Sequence, residues 1–211
     1  MIHPIQCECG CVQGTAVALN QATRITCFCK DCQAFAHFLG NSNAILDDNG
    51  GTDIVQTSPK NITFSQGPEN LACVRLTEKG MIRWYASCCK TPIGNTLPSR
   101  NFSFIGLIHN CLNPSDIPLH KVVGETCAQV NTGSAKGDSK PKSFGTLPTI
   151  GRNILRMLKD RINGSYQQNP FFLPGVDEPI AVPKILDEAE YFRHSNKIGR
   201  AHVWTPVTDQ S

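Results

Sequence analysis

No stretch of this chain approaches the roughly 18 consecutive apolar residues that a membrane helix needs, so no membrane partner is expected. Nor do the first residues read as a secretory leader. Met1 to Gln6 carry little charge, and no apolar run of about 7 to 15 residues follows them. The expected compartment is therefore the cytoplasm, with the nucleus as the other setting. Strong charge of one sign is missing too, with 20 basic residues against 17 acidic ones and a formal net charge of +3. No stripe of Lys and Arg interleaved with aromatics runs through the chain, and nucleic acid is not an expected partner.

What the chain has in abundance is cysteine, eleven residues of it. In a reducing compartment a disulfide framework is disfavoured, and metal is the better explanation for clustered thiols. If seven of them bind two zinc ions as thiolates, the formal charge falls from +3 to zero, because a zinc-bound thiol is deprotonated. The 211 residues, 40% hydrophobic and 18% charged, suit a globular chain with one core and an appendage rather than two full domains.

Strand signals dominate the first half. Val12 to Leu19 and Arg24 to Cys27 read as short strands, followed by Ile54 to Thr57, Ile62 to Gln66, Leu71 to Leu76, Met81 to Ala86 and Ser103 to His109. Between them, Asp31 to Leu39 has helical apolar spacing at Phe35, Phe38 and Leu39, with Asp31 as its expected N-cap. The fold expected is mainly β, a small antiparallel zinc-binding β-sandwich over residues 1–112, with a helical C-terminal extension over residues 113–195. In that extension Ala128 to Ser143 reads as a linker or surface loop. Ile154, Leu155, Leu158 and Ile162 share one face of a helix, and the charges from Lys159 to Arg161 read as a solvated face. Phe171 to Gly175 is an apolar patch that needs a cover, and Ile185 to Phe192 reads as a last short helix. Residues 196–211 read as an artefactual or disordered tail, because Lys197 to Ser211 resembles a translated sequencing adapter with Trp204 at its TGA codon.

The thiols fall into sets. Cys7 and Cys9 form a half-site that Cys88 or Cys89 can complete from a distant strand, with Cys11 as a competing fourth ligand. Cys27, Cys29 and Cys32 form a compact triple. Structural zinc takes four ligands and catalytic zinc takes three plus an open position, so the triple is the candidate for chemistry. Cys73, Cys111 and Cys127 lack partners at ligand spacing and read as structural, and His37 is a weaker candidate for metal.

Cys7-Glu8-Cys9-Gly10, Cys27-Phe28-Cys29-Lys30-Asp31-Cys32 and the stretch from Arg83 to Pro92 together resemble the glutathione-dependent formaldehyde-activating enzyme family, which includes centromere protein V. The likeness covers roughly Pro4 to His109. It implies a mostly-β zinc fold, a structural zinc on the outer pairs and a second zinc on the central triple. It also implies carbon–sulfur lyase chemistry on glutathione–aldehyde adducts, a small-molecule thiol partner with glutathione as co-substrate. The catalytic residues would then be Cys27, Cys29 and Cys32, and the metal ligands Cys7, Cys9, Cys27, Cys29, Cys32, Cys88 and Cys89. Two departures stand out: with Thr91-Pro92 aligned, Cys89 is the second cysteine of the last pair while Ala86 replaces the first, and Lys90 replaces the family's Gly. No dedicated general base is visible at recognisable spacing, with Asp31 and His37 the nearest candidates. The competing expectations are a zinc-stabilised binding module, docking a partner through Phe171 to Gly175 or Ile150 to Ile162, and a thiol redox or metal-buffering protein.

Overall fold

The computed structural model of the protein describes residues 2–112 and 117–196. In chain order its elements are β1 (Ile2–Gln6), β2 (Gln13–Val17), β3 (Thr23–Cys27), α1 (Lys30–Leu39), α2 (Ser42–Ile45), β4 (Thr52–Thr57), β5 (Ile62–Gln66), β6 (Leu71–Arg75), β7 (Ile82–Ala86), β8 (Pro92–Thr96) and β9 (Ile105–Ile108). Then follow α3 (Leu119–Val123), β10 (Ala128–Val130), α4 (Thr146–Ile162), β11 (Lys184–Ile185) and α5 (Glu188–Asn196). The tail reading for Lys197 to Ser211 lies outside the described residues. No described helix is long and apolar enough to cross a membrane.

Two sheets result, one of three strands in the order β1-β2-β5 and one of eight in the order β10-β3-β4-β9-β8-β7-β6-β11. The expected antiparallel pairings are present, but the large sheet is mixed, because β10 runs parallel to β3 and β11 parallel to β6. Ala128 to Val130, read from its polar composition as the start of a linker, is thus an edge strand. Its backbone pairs with Ile25 to Cys27, and that pairing needs no side-chain pattern.

Side-chain alternation along the strands explains the layering. On β7, Ile82, Trp84 and Ala86 point into a core shared with Ile5 and Ala16 of the small sheet, while Arg83 and Tyr85 point the other way. There α1 lies across the large sheet, with Phe35 and Phe38 packing edge-on against Tyr85. Both faces of β7 are therefore covered, which is why all five of its residues are buried. Phe171 and Phe172 also belong to the inter-sheet core, and Phe171 meets Trp84 and Phe64 at ring-centroid distances of 5.2 and 5.5 Å. The protein's own sheets cover Phe171 and Phe172 of the Phe171 to Gly175 patch, while Leu173 to Gly175 stay exposed.

The long helix α4 packs on the body through its polar side. Ile154, Leu155, Leu158 and Ile162 do share a face, but that face is exposed, and the residues buried against the body are Thr149, Asn153 and Asp160. A polar helix face can be buried only if its groups find partners. Asn153 donates to Gln56 Oε1 at 2.7 Å, and Arg156 donates to the Gln56 and Gln21 carbonyls. Asp160, inside the charge run read as solvated, is only 2% exposed. Its carboxylate accepts from the hydroxyls of Ser58 (2.5 Å), Ser103 (2.7 Å) and Ser165 (2.9 Å) and from the Lys60 ammonium. Burial alone would raise the Asp160 carboxyl, but Lys60 and the three hydroxyls outweigh it and hold the group below its ordinary value.

This network makes a prediction. Asp160→Ala should lower unfolding free energy at neutral pH by about 3 kcal/mol, the cost of breaking a buried, hydrogen-bonded pair. Because the folded value is depressed, the contribution is present above the unfolded carboxyl's value of about 3.9 and lost as pH falls through the folded value. Denaturant titrations should show the difference between wild type and variant at pH 7 and its shrinkage near pH 3.

Candidate metal centres

The first centre is built by two tight turns. After β1 the chain turns at Cys7 to Gly10, with the Gly10 N–H on the Cys7 carbonyl, and Gly10 takes a φ of 76° that a glycine adopts without strain. The Val12 N–H donates to Cys7 Sγ at 3.2 Å. After β7 the chain turns again, with the Lys90 N–H on the Ala86 carbonyl and the Ala86 N–H on the Thr91 carbonyl. Cys88 and Cys89 both sit in this turn rather than on a strand, so the alternation that would send adjacent side chains to opposite faces does not apply. Lys90 takes a φ of 61°, the left-handed conformation for which a glycine is better suited, and its ammonium lies 4.9 Å from the Tyr85 ring centroid.

The sulfurs of Cys7, Cys9, Cys88 and Cys89 all lie within 4.8 Å of one another and can hold a metal ion. The separations are 3.6 Å for Cys7 to Cys9, 3.9 Å for Cys7 to Cys88, 3.3 Å for Cys9 to Cys88 and 3.8 Å for Cys88 to Cys89. Four sulfurs about 2.3 Å from a central ion form a tetrahedron with edges of about 3.8 Å, so the donor set fits a tetrahedral thiolate site. Cys11, the competitor for the fourth position, stands outside this group and is exposed. The Cys11 backbone N–H and the neighbouring Cys88 thiol pull Cys9 down to about 6, so one sulfur is already poised as a thiolate.

The second group is Cys27, Cys29 and Cys32, again with all sulfurs within 4.8 Å. Cys27 ends β3, and Cys29 and Cys32 flank the start of α1. The N-cap is Cys29 rather than the expected Asp31: its sulfur accepts from the Cys32 N–H at 3.3 Å, while Asp31 falls in the first turn. Cys27 and Cys32 are buried and Cys29 is half-buried. Without a cation these thiols resist ionisation. Cys29, despite the opposing hydrogen bond with Cys27, is pushed up to about 12 by Cys32 and by burial, and Cys32 is pushed up to about 12 by Cys27 and by burial. A bound cation reverses that balance and releases the protons.

Side chains outside the cysteine pattern surround this triple. Arg83, 4% exposed on the α1 side of β7, points Nη1 at Cys32 Sγ (3.8 Å) and at Asn95 Oδ1 (3.3 Å), with Nη2 3.6 Å from Asp31 Oδ2. Asn131 donates to Cys27 Sγ at 3.4 Å from the turn that follows β10. Tyr191 of α5 donates its phenol hydrogen to Asp31 Oδ1 at 3.2 Å. A buried guanidinium needs a negative counterpart, and three thiolates around a divalent cation carry a net charge of −1. The donor set and its surroundings therefore fit a divalent metal. Arg83 was visible only as part of a motif, and Asn131 and Tyr191 carried no sequence signal at all. His37 stands outside both groups, as do Cys73 and Cys111, whose sulfurs are buried and donate to backbone carbonyls. Cys127 is exposed.

Fold and centres together define a mainly β chain with two cysteine-rich groups, each able to hold a metal ion. The chain belongs to the family described as Family of unknown function (DUF6151), whose model matches residues 1–181. No curated protein matches it. A crystal structure of a Rhodobacter sphaeroides protein, a Northeast Structural Genomics target, is similar at 16% identity over 58% of this chain and 96% of that one, with a TM-score of 0.37.

Two outcomes are expected. Cys11→Ala should retain the full metal content while Cys88→Ala loses one ion per chain, read by elemental analysis; the reverse result would hand the fourth position to Cys11. Lys90→Gly should raise stability by about 0.5 kcal/mol by relieving the left-handed backbone at the cost of its contact with Tyr85. Denaturant titration at unchanged metal content checks it.

Proposed function

We propose that the protein is a zinc-dependent carbon–sulfur lyase acting on glutathione–aldehyde (hemithioacetal) adducts at Cys27, Cys29 and Cys32, with a structural zinc on Cys7, Cys9, Cys88 and Cys89. The observation that carries the reading is the difference between the two groups: four sulfurs close a tetrahedral site, whereas three leave a position for a ligand. The cysteine spacing shared with the glutathione-dependent formaldehyde-activating family supports the same assignment. Cys27, Cys29 and Cys32 would hold the zinc, which would supply Lewis acidity toward a thiolate or an aldehyde oxygen.

The residues around the triple have definable tasks in that chemistry. When the adduct forms, sulfur bonds to the carbonyl carbon and the oxygen takes a proton; cleavage returns that proton as the C–S bond breaks. The Tyr191 phenol, hydrogen-bonded to Asp31 beside the triple, would carry it, and burial together with the Asp31 carboxylate raises that phenol above its ordinary value. Arg83 balances the thiolate charge and also pairs with Asp31, which fixes the carboxylate. The exposed apolar face of α4 favours a second reading, a non-catalytic zinc-stabilised binding or scaffold module.

Zinc content and exchange in glutathione–formaldehyde mixtures, followed by NMR, separate the two. Expected are two zinc per chain, faster formation and breakdown of the hydroxymethyl adduct, and a Cys29→Ala protein that is folded, one zinc short and at the uncatalysed rate. Two zinc ions indifferent to glutathione, with exchange no faster than in buffer, would leave the scaffold reading.

A further inference from the structure

The helix α4 turns its apolar side outward: Leu147 is 80% exposed, Leu155 69% and Ile162 86%, with Ile150, Ile154 and Leu158 about half exposed between them. Singly exposed apolar residues are ordinary, but six on one helix, next to the half-exposed Phe102, form a contiguous patch of the kind that marks an interaction site. The face is not a smooth ridge. Between α4 and Phe102 lies a groove of about 380 Å³ lined by Asn101, Phe102, Ile154, Met157, Leu158 and Arg161. On the face itself, Gly151 opens onto free space, with nothing beyond its own stretch of helix backbone within 4 Å of where a side chain would begin.

Charge selects the occupant. Arg152 and Lys159 edge the patch and are exposed, Arg161 lines the groove with its guanidinium on Asn101 Oδ1 and over the Tyr166 ring, and the single acid of the helix, Asp160, is buried on the opposite side against Lys60. A second copy seated here by two-fold symmetry would apply the same patch to itself and bring these bases together with no acid of α4 to meet them. A lipid surface would answer the charge but does not fill a concave groove. An amphipathic helix with acidic flanks answers both, inserting apolar side chains at i, i+3, i+4 and i+7 into the groove with carboxylates on the basic rim. We propose that the outward face of α4, together with the Phe102 groove, docks an acidic amphipathic helical segment of another protein. The docking surface stands whether or not the cysteine triple is catalytic.

The test uses the full zinc-loaded chain and three labelled peptides of about 18 residues: a Leu/Glu amphipathic helix, the same composition with its Leu positions scrambled, and a Leu/Lys counterpart. The Leu/Glu peptide should bind, more weakly as salt rises, and the other two should not. Leu158→Glu should weaken binding at least about tenfold. Lys159→Glu should flatten the salt dependence, with circular dichroism and zinc content unchanged in both variants. Three results would overturn the proposal: equal binding of the Leu/Lys peptide, no peptide binding up to about 1 mM, or the face being taken by something else. The last would appear as a dimer in sedimentation equilibrium that Leu158→Glu dissociates, or as binding to phosphatidylserine-containing vesicles without peptide binding.

Discussion

A guanidinium out of water must be met by negative charge, and in this chain that demand organises one whole side of the large sheet. Arg83 sits on a central strand whose two faces are both covered, so its head group has no route to solvent. What meets it comes from separate parts of the chain: Cys32 and Asp31 from the start of α1, and Asn95 from β8. Asn131 then holds Cys27 from the turn after β10, and Tyr191 holds Asp31 from α5. The triple of thiols is therefore less a local motif than the point where both halves of the sequence meet. Its sulfurs are hard to ionise alone and easy to ionise around a cation, and the neighbouring positive charge favours the second state.

The other half of the architecture rests on an inversion. A helix with a strong apolar stripe would ordinarily bury it, because burial of each large aliphatic side chain is worth on the order of 2 kcal/mol. Here α4 gives that up and docks through Asp160, Asn153 and Arg156 instead, each of which finds partners on the β body. Such docking is geometrically strict, since a half-satisfied buried polar network is worse than an apolar one. It fixes the rotation of the helix about its axis and so fixes which side faces outward.

Much of the fold was legible in the sequence for a simple reason: alternation and turn residues announce strands locally, and β3 to β7 lie close to where those signals fall. The two thiol groups were legible because cysteine spacing is itself a local signal. Other features were not. Cys88 and Cys89 were both expected as ligands, but the tight turn that takes them off the strand and ends at a left-handed Lys90 was not, because the residue type argues against it. The cap on α1 went to Cys29, because a sulfur already at the helix start outcompeted the nearby carboxylate that pairs with Arg83. The orientation of α4 was hidden because periodicity reports which residues share a face but not which face is buried. Asp160 decides that through Ser58, Lys60 and Ser103, about a hundred residues or fewer away in sequence and invisible to any local window.

The two parallel pairings at the margins of the large sheet carry a consequence for synthesis. β3 would be one rim and β6 the other, and each is sealed by a short strand from the last part of the chain, β10 and β11. While a ribosome has released only the first hundred or so residues, both rims present unpaired N–H and C=O groups, ready templates for strand addition by a neighbouring chain. Covering them is a late event, and until then both rims are open to intermolecular pairing.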